Sequence, residues 1–171
     1  MKKTVLTFGV ISGVIVLLMM IVTMPFEEQI GFDRGLVIGY TSMLAAFLLI
    51  YFGVRSYRDN VAGGSVRFGR ALAVGTLIAL ISSVMYTATW EVIYFGFKPD
   101  FMEKYQEREV AVARTKGATQ AELDVKIADG KKFAEMYHNP LLNVAMTMVE
   151  PLPLGLLVAL VTAGIMVRRR R

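Results

Sequence analysis

An all-α integral membrane fold with four transmembrane helices is predicted by three observations. Four stretches reach or exceed the roughly 20 apolar residues that a helix needs to cross a bilayer's hydrocarbon. The chain of 171 residues is 55% hydrophobic and only 19% charged, with a mean hydropathy of +0.52. Soluble domains run nearer 45–50% apolar and about a quarter charged. Finally, Lys and Arg are concentrated in alternate connections. The 0 cysteines exclude disulfide scaffolds, Cys-ligated zinc, iron–sulfur clusters and thiol catalysis.

The first span covers about 4–26 and carries no charge. Lys2 and Lys3 precede it as they would a secretory signal. Its apolar run is longer than the roughly 7–15 residues of a signal core, and no small-x-small cleavage site follows. It is therefore read as an uncleaved span. The second, about 35–54, is also uncharged, while the third, about 70–97, holds Glu91 and the fourth, about 140–167, holds Glu150. The spans are expected to form one membrane domain over 1–171, with an extracytoplasmic helical hairpin at about 98–139.

Orientation follows from the short connections, because Lys and Arg accumulate on the cytoplasmic side. With the N-terminus inside, the inner segments hold Lys2, Lys3, Arg55, Arg58, Arg67, Arg70 and Arg168, Arg169, Arg170, Arg171, against one acid, Asp59. The outer connection Glu27–Arg34 has three acids and one Arg. Both termini are thus expected on the cytoplasmic side of the membrane. The formal charge of +5 is explained as topology determinants and headgroup contacts. It needs no nucleic-acid partner; the lipid bilayer is the partner it implies.

The inner loop is assigned to 57–70. Its Asp59-Asn60 and Gly63-Gly64 steps are turn signals, and Phe68 looks like an interfacial entry to the third span. The polar segment 98–139 carries eight cations and eight acids. Pro99 suits a helix start. Asp100 to about Thr115 reads as a helix with Phe101, Tyr105 and Val112 at helical spacing, stopped at Gly117. Thr119-Gln120-Ala121-Glu122 is a capping box. It opens a second helix to about Tyr137, with Leu123, Ile127, Ala134 and Tyr137 along one face. Neither helix is apolar enough to stand alone. Trp90, Tyr94, Phe95, Phe97, Tyr137 and His138 are placed as an outer aromatic belt, and Tyr40 and Tyr51 as flanks of the second span; a ligand cage of the same outer rings is the alternative.

Four segments carry a resemblance. They are Ser65-Val66-Arg67-Phe68-Gly69-Arg70-Ala71, Lys98-Pro99-Asp100-Phe101, Lys116-Gly117-Ala118-Thr119-Gln120-Ala121-Glu122-Leu123 and Glu150-Pro151-Leu152-Pro153-Leu154-Gly155-Leu156. In that order, ahead of a basic tail, they make nearly the whole chain similar to the domain of unknown function 4199 family of small bacterial four-span membrane proteins. The resemblance implies a bacterial inner-membrane location. It brings no established activity and no catalytic residue.

The candidate functional residues are few. At 1.5 Å of rise per residue, Glu91 lies about 31 Å from Arg70 and Glu150 about 27 Å from Arg168 along their helices. In antiparallel spans the two carboxylates then share a depth near the outer interface, with Glu27, Glu28 and Asp33. They are either an acidic pair for a cation or proton, or solvated charges met by water, Arg34, Lys98 or His138. Pro151 and Pro153 beside Glu150 should break or kink the fourth span, by removing backbone donors and restricting the preceding residue. Such breaks mark ion and substrate sites in transporters, and also occur as packing kinks. Small residues recur at Gly9/Gly13, Gly35/Gly39 and Gly155/Ala159/Ala163, where helix backbones approach closely. Gly9/Gly13 and Ala159/Ala163 share the cytoplasmic half by depth, so spans one and four are expected to pack there, with homodimerisation as the sharper alternative.

No catalytic, cofactor-binding or metal-binding set is assigned. His138 is the sole histidine. It could pair with Glu150 as a catalytic dyad, but no serine motif accompanies it. The 11 methionines are dispersed as core and lipid-facing filler. Three function classes follow: a non-enzymatic accessory module that binds a membrane or periplasmic protein through 98–139; a small transporter or channel subunit acting as an oligomer through Glu91, Glu150 and the proline break; and, least supported, an enzyme on a lipid-linked substrate.

Overall fold

The computed structural model describes residues 1–167, without the side chains of Glu27, Glu28, Phe32 and Asp33. Helix accounts for 88% of it, and no strand occurs among the described residues. The helices are α1 (Lys2–Thr23), α2 (Glu27–Ile30), α3 (Phe32–Asn60), α4 (Phe68–Phe97), α5 (Phe101–Thr115), α6 (Gln120–Tyr137), α7 (Pro140–Met148) and α8 (Pro151–Val167). Four helical stretches are long and apolar enough to cross a membrane: Lys2–Phe26, Arg34–Asn60, Phe68–Phe97 and Pro140–Val167. Arg168 to Arg171 lie outside the described residues.

Internal contacts gather the chain into two units. The first comprises residues 1–87 and the chain from Met148 onward. Its core is built by α1, α3, the first part of α4 and α8, around Phe47, Ile50, Val54, Val74, Ile78 and Ala159. Its outer surface is apolar. Leu6, Val10, Leu18, Val22, Leu48, Leu157, Val161 and Ile165 are all exposed. Its buried hydroxyls face inward: Ser12 donates to the Ala46 carbonyl at 3.0 Å and meets the Ser82 hydroxyl at 3.1 Å. In water such an outside would be costly. Hydrocarbon removes that cost and requires backbone and side-chain polar groups to be satisfied internally.

The small residues set helix packing, but with partners other than those expected. A side chain at Gly9 would meet Ile81, and one at Gly13 would meet Met85, both on α4. Gly75 of α4 lies against Ala159, and Gly155 against Ala79 and Phe47. The small faces of α1 and α8 therefore both serve α4 and α3, rather than each other. Gly35 and Gly39 have nothing within 4 Å among the described residues.

The second span is longer than predicted. Helix α3 continues beyond Val54 to Asn60. Buried Tyr57 (4% exposed) extends the core by a turn, and Asp59 holds Arg58 at 2.7 Å and Arg55 at 3.7 Å. The Asp59-Asn60 turn signal is overruled by this packing. The turn begins at Val61 and uses Gly63 and Gly64 at φ 70° and 85°, where glycine carries no Cβ penalty. Arg55 and Arg58 are thus helical rather than in the loop, and Arg70 sits in the first turn of α4.

The second unit covers Ala88–Thr147. In it α5 and α6 pack as a helical pair. Gly117 at φ 85° ends the first of them. The capping box is formed: the Glu122 amide reaches the Thr119 hydroxyl at 3.4 Å, and the Glu122 carboxylate accepts from the Thr119 amide at 2.8 Å. Leu123, Ala134 and Tyr137 are buried, as their spacing predicted. Val112 remains 37% exposed, so only Phe101 and Tyr105 of the α5 stripe reach the core.

Candidate functional site

The second unit is built around aromatic rings. Tyr94 is fully buried, with Met102, Ala134 and Tyr137 beside it and Trp90, Phe101, Tyr105 and Met146 packed around. Trp90 meets Phe101 edge-on at 5.0 Å, and Tyr94 meets Tyr137 at 5.2 Å. Edge-to-face geometry places positive ring edges on negative ring faces. Tyr94 and Tyr137 are therefore core residues and Trp90 is partly buried against them, where an interfacial belt would have these rings face outward. Phe95 and Phe97, at 42% and 78% exposure, keep the outward positions expected of one. The cause is the helical pair, which gives these rings a protein surface to cover.

A chain of hydrogen bonds runs through this core. Trp90 Nε1 donates to the Tyr137 hydroxyl at 3.0 Å. That hydroxyl lies 3.3 Å from Thr147 Oγ1, which donates to Asn143 Oδ1 at 3.0 Å. Asn143 Nδ2 closes the chain on the Tyr137 carbonyl at 2.9 Å. Asn143 and Thr147 were not singled out from the sequence. Their i, i+4 spacing on α7, opposite exposed Leu141, was the available signal.

Two polar atoms stand outside that chain. Glu91 Oε1 and the Tyr94 hydroxyl are buried without a hydrogen-bond partner among the described residues. Three residues apart on α4, they lie on adjacent parts of one helix face. A buried carboxylate oxygen without a donor is costly, and a proton on Glu91 relieves that cost.

Glu150 belongs to the first unit. It occupies the two-residue interruption, Val149-Glu150, between α7 and α8. Its carboxylate accepts from the Tyr86 hydroxyl at 2.8 Å and is exposed. Pro151 opens α8 and is buried, and Pro153 falls in that helix's first turn. The side chains of Glu27, Glu28 and Asp33 lie outside the described residues. Each acid of the predicted pair thus has its own setting: one oxygen of Glu91 buried and unpartnered, Glu150 exposed and bonded.

His138 takes a different partner from the one weighed. Its Nδ1 lies 2.8 Å from the Ala134 carbonyl, so that nitrogen carries the proton, and Nε2 faces Glu103 at 3.5 Å. Glu103 and His138 stand at one end of a groove between α5 and α6 with a volume of about 800 Å³. Val110, Ile127 and Ala134 line it, with Glu107 and Glu135 among its charged residues. Gln106 crosses to the Ile127 carbonyl at 2.8 Å. It can do so because position 130 is glycine; any Cβ there would collide with it.

Around the groove, charges are held locally. Lys104 donates to Asp100 at 2.7 Å and keeps that carboxyl below its ordinary range. Thr119's amide and hydroxyl do the same for Glu122. Burial pushes the Tyr105 phenol up. Among the described residues, no three His, Asp or Glu side chains converge as metal ligands would.

A family model described as "Protein of unknown function (DUF4199)" matches residues 7–168. No curated protein and no solved structure matches the chain.

Proposed function

The chain belongs to the DUF4199 family, and we propose that it is a multi-pass protein of a bacterial inner membrane whose non-enzymatic role is to bind another protein through the α5–α6 groove. In this reading both termini are cytoplasmic and the helical pair is extracytoplasmic. The surplus of Lys and Arg at Lys2, Lys3 and the α3–α4 turn supports that orientation.

The observation that carries the proposal is the groove itself. Three glutamates, Glu103, Glu107 and Glu135, stand over an apolar lining with a single lysine, Lys131. That combination suits a cationic amphipathic segment, whose apolar face would cover the lining while its Lys or Arg residues meet the rim. The hydrogen-bonded core behind it supports a structural role, because Trp90, Tyr137, Thr147 and Asn143 are bonded to one another.

The test is site-specific photo-crosslinking in cells. A probe at Val110, inside the groove, should capture a defined protein that a probe at Val125, outside it and 61% exposed, does not. Glu107→Lys with Glu135→Lys should abolish the capture. Identical products from both positions, or none from Val110, would remove the proposal.

A second reading rests on Glu91. A carboxylate with one buried, unpartnered oxygen, on a helix apolar enough to span, suits a cation or proton site in an oligomeric carrier. Proton or cation flux into proteoliposomes should then fall at least about tenfold in Glu91→Gln. Flux equal to that of empty vesicles in both forms would discard it.

A further inference from the structure

The sequence reads the arginines near the α3–α4 turn as determinants of orientation and as unspecific headgroup contacts, with no site among them. The structure gathers them around one concavity in the first unit. Arg55 and Arg58 from the end of α3, Arg67 from the turn and Arg70 from the start of α4 line a cleft of about 1270 Å³, closed on another side by Met166 near the end of α8. The ends of three membrane-capable helices meet there. A bilayer would place phospholipid headgroups at that level.

The charge of the cleft is not balanced from within. Asp59 is the one carboxylate among its lining residues, and it is already engaged. It takes Arg58 through both oxygens, at 2.7 and 3.2 Å, and approaches Arg55 at 3.7 Å. Arg58 also reaches the Met166 sulfur at 3.3 Å, so its guanidinium is held in place. Among the described residues neither Arg67 nor Arg70 is paired with a carboxylate. Both are exposed. Gly64 and Gly69 line the same space without side chains.

Orientation by itself would not require this arrangement. The cytoplasmic bias counts lysine and arginine alike and asks only for charge near a helix end. Here four arginines line one open cleft. One carboxylate, Asp59, leaves the cleft with a surplus of positive charge, carried by Arg67 and Arg70; a phosphoryl oxyanion offsets that surplus and matches the guanidinium fork in two-point hydrogen bonds. We propose that this cleft is a binding site for a phosphoryl group, supplied by an anionic phospholipid headgroup or by a soluble phosphate compound. The site is independent of the α5–α6 groove and stands whether or not that groove binds a protein.

The test uses the full chain in an uncharged detergent. Thermal unfolding is followed on titration with dihexanoyl phosphatidylglycerol, dihexanoyl phosphatidylcholine or inorganic phosphate. Phosphatidylglycerol should raise Tm saturably, and phosphatidylcholine at equal concentration should not. Arg67→Gln with Arg70→Gln should weaken the apparent affinity about tenfold or more, the loss of roughly one charge-assisted hydrogen bond. Arg67→Lys with Arg70→Lys keeps the charge and should bind at an intermediate level. Stabilisation by inorganic phosphate that competes with phosphatidylglycerol supports the site with a soluble source. Stabilisation by phosphatidylglycerol alone supports it with the lipid source. If the two lipids act alike and phosphate is silent, or if the glutamine variant titrates as the wild type does, the proposal is overturned.

Discussion

The two units differ in what they expose and in what joins their helices. In the first, large aliphatic side chains such as Leu6, Val22 and Val161 face outward, while glycine, alanine and serine hold the helices together. In the second, Trp90, Tyr94 and Tyr137 go inside, and Glu, Lys and Asp cover α5 and α6. Helix association in lipid draws little from apolar burial, because lipid tails are as apolar as the side chains. Close backbone approach and internal hydrogen bonds must supply it. Against water, area removed from solvent is the main driving force, and aromatic rings remove the most. The difference between the units is the one expected of two solvents acting on one chain.

The contrast is broken most directly at the tight glycines. Gly155→Leu must displace Ala79, whose Cβ would stand 2.8 Å from the new Cβ, and Phe47 at 3.2 Å. Gly75→Leu meets the Ala159 backbone at 3.2 Å. Each should destabilise by about 3 kcal/mol or more, the upper end of overpacking penalties. Gly39→Leu, with no described neighbour within 4 Å, should leave stability unchanged or slightly raised. Thermal unfolding in mild detergent separates the three. Equal losses at Gly155 and Gly39 would mean that glycine spacing, and not contact, determines stability here.

These glycines also show how far the sequence could be read. Their four-residue spacing was visible, but spacing cannot say which helix receives a small face. Gly9 and Gly35 look alike as letters, yet one faces Ile81 and the other has no described neighbour within 4 Å. The four apolar stretches, the capping box at Thr119 and the turn at Gly117 were legible because local chemistry decides each of them. The end of α3 was not. Its extension to Asn60 depends on Tyr57 finding a core, which is a tertiary fact. The same limit hid the site residues. Trp90 and Tyr94 at a span's end fit an interfacial belt until α5 and α6 are seen to cover them. Four arginines in short connections fit a topology signal until they are seen around one cleft.

In the second unit a smaller change tests the aromatic core. Tyr137→Phe keeps the ring and its 5.2 Å contact with Tyr94 but removes the acceptor for Trp90 Nε1. A buried donor left without a partner costs about 1–2 kcal/mol. Trp90 is the only tryptophan, so its fluorescence reports the site directly. The expected outcome is a lower unfolding midpoint with a shifted emission maximum. An unchanged spectrum and midpoint would return these rings to an interfacial role.

The smallest effect is expected at the cap of α6, where it carries a pH signature that the glycine substitutions of the first unit should not share. Thr119→Ala removes the hydroxyl that meets the Glu122 amide, at a cost of about 1 kcal/mol. The Glu122 carboxylate has a folded-state pKa below its ordinary 4.5, chiefly because it accepts from the Thr119 amide. A group depressed by folding favours the folded state above its unfolded pKa. That advantage is lost as pH falls through the folded value. Glu122→Gln removes the titration and keeps a weaker, neutral acceptor. The stability gap between wild type and Glu122→Gln should therefore be largest above pH 4.5 and should close as the medium is acidified below it. Hydrogen exchange at the α6 amides, measured across that range, reads the gap locally. A gap independent of pH would show that the carboxylate's charge contributes nothing to the cap, and that α6 is held by the burial of Leu123, Ala134 and Tyr137 alone.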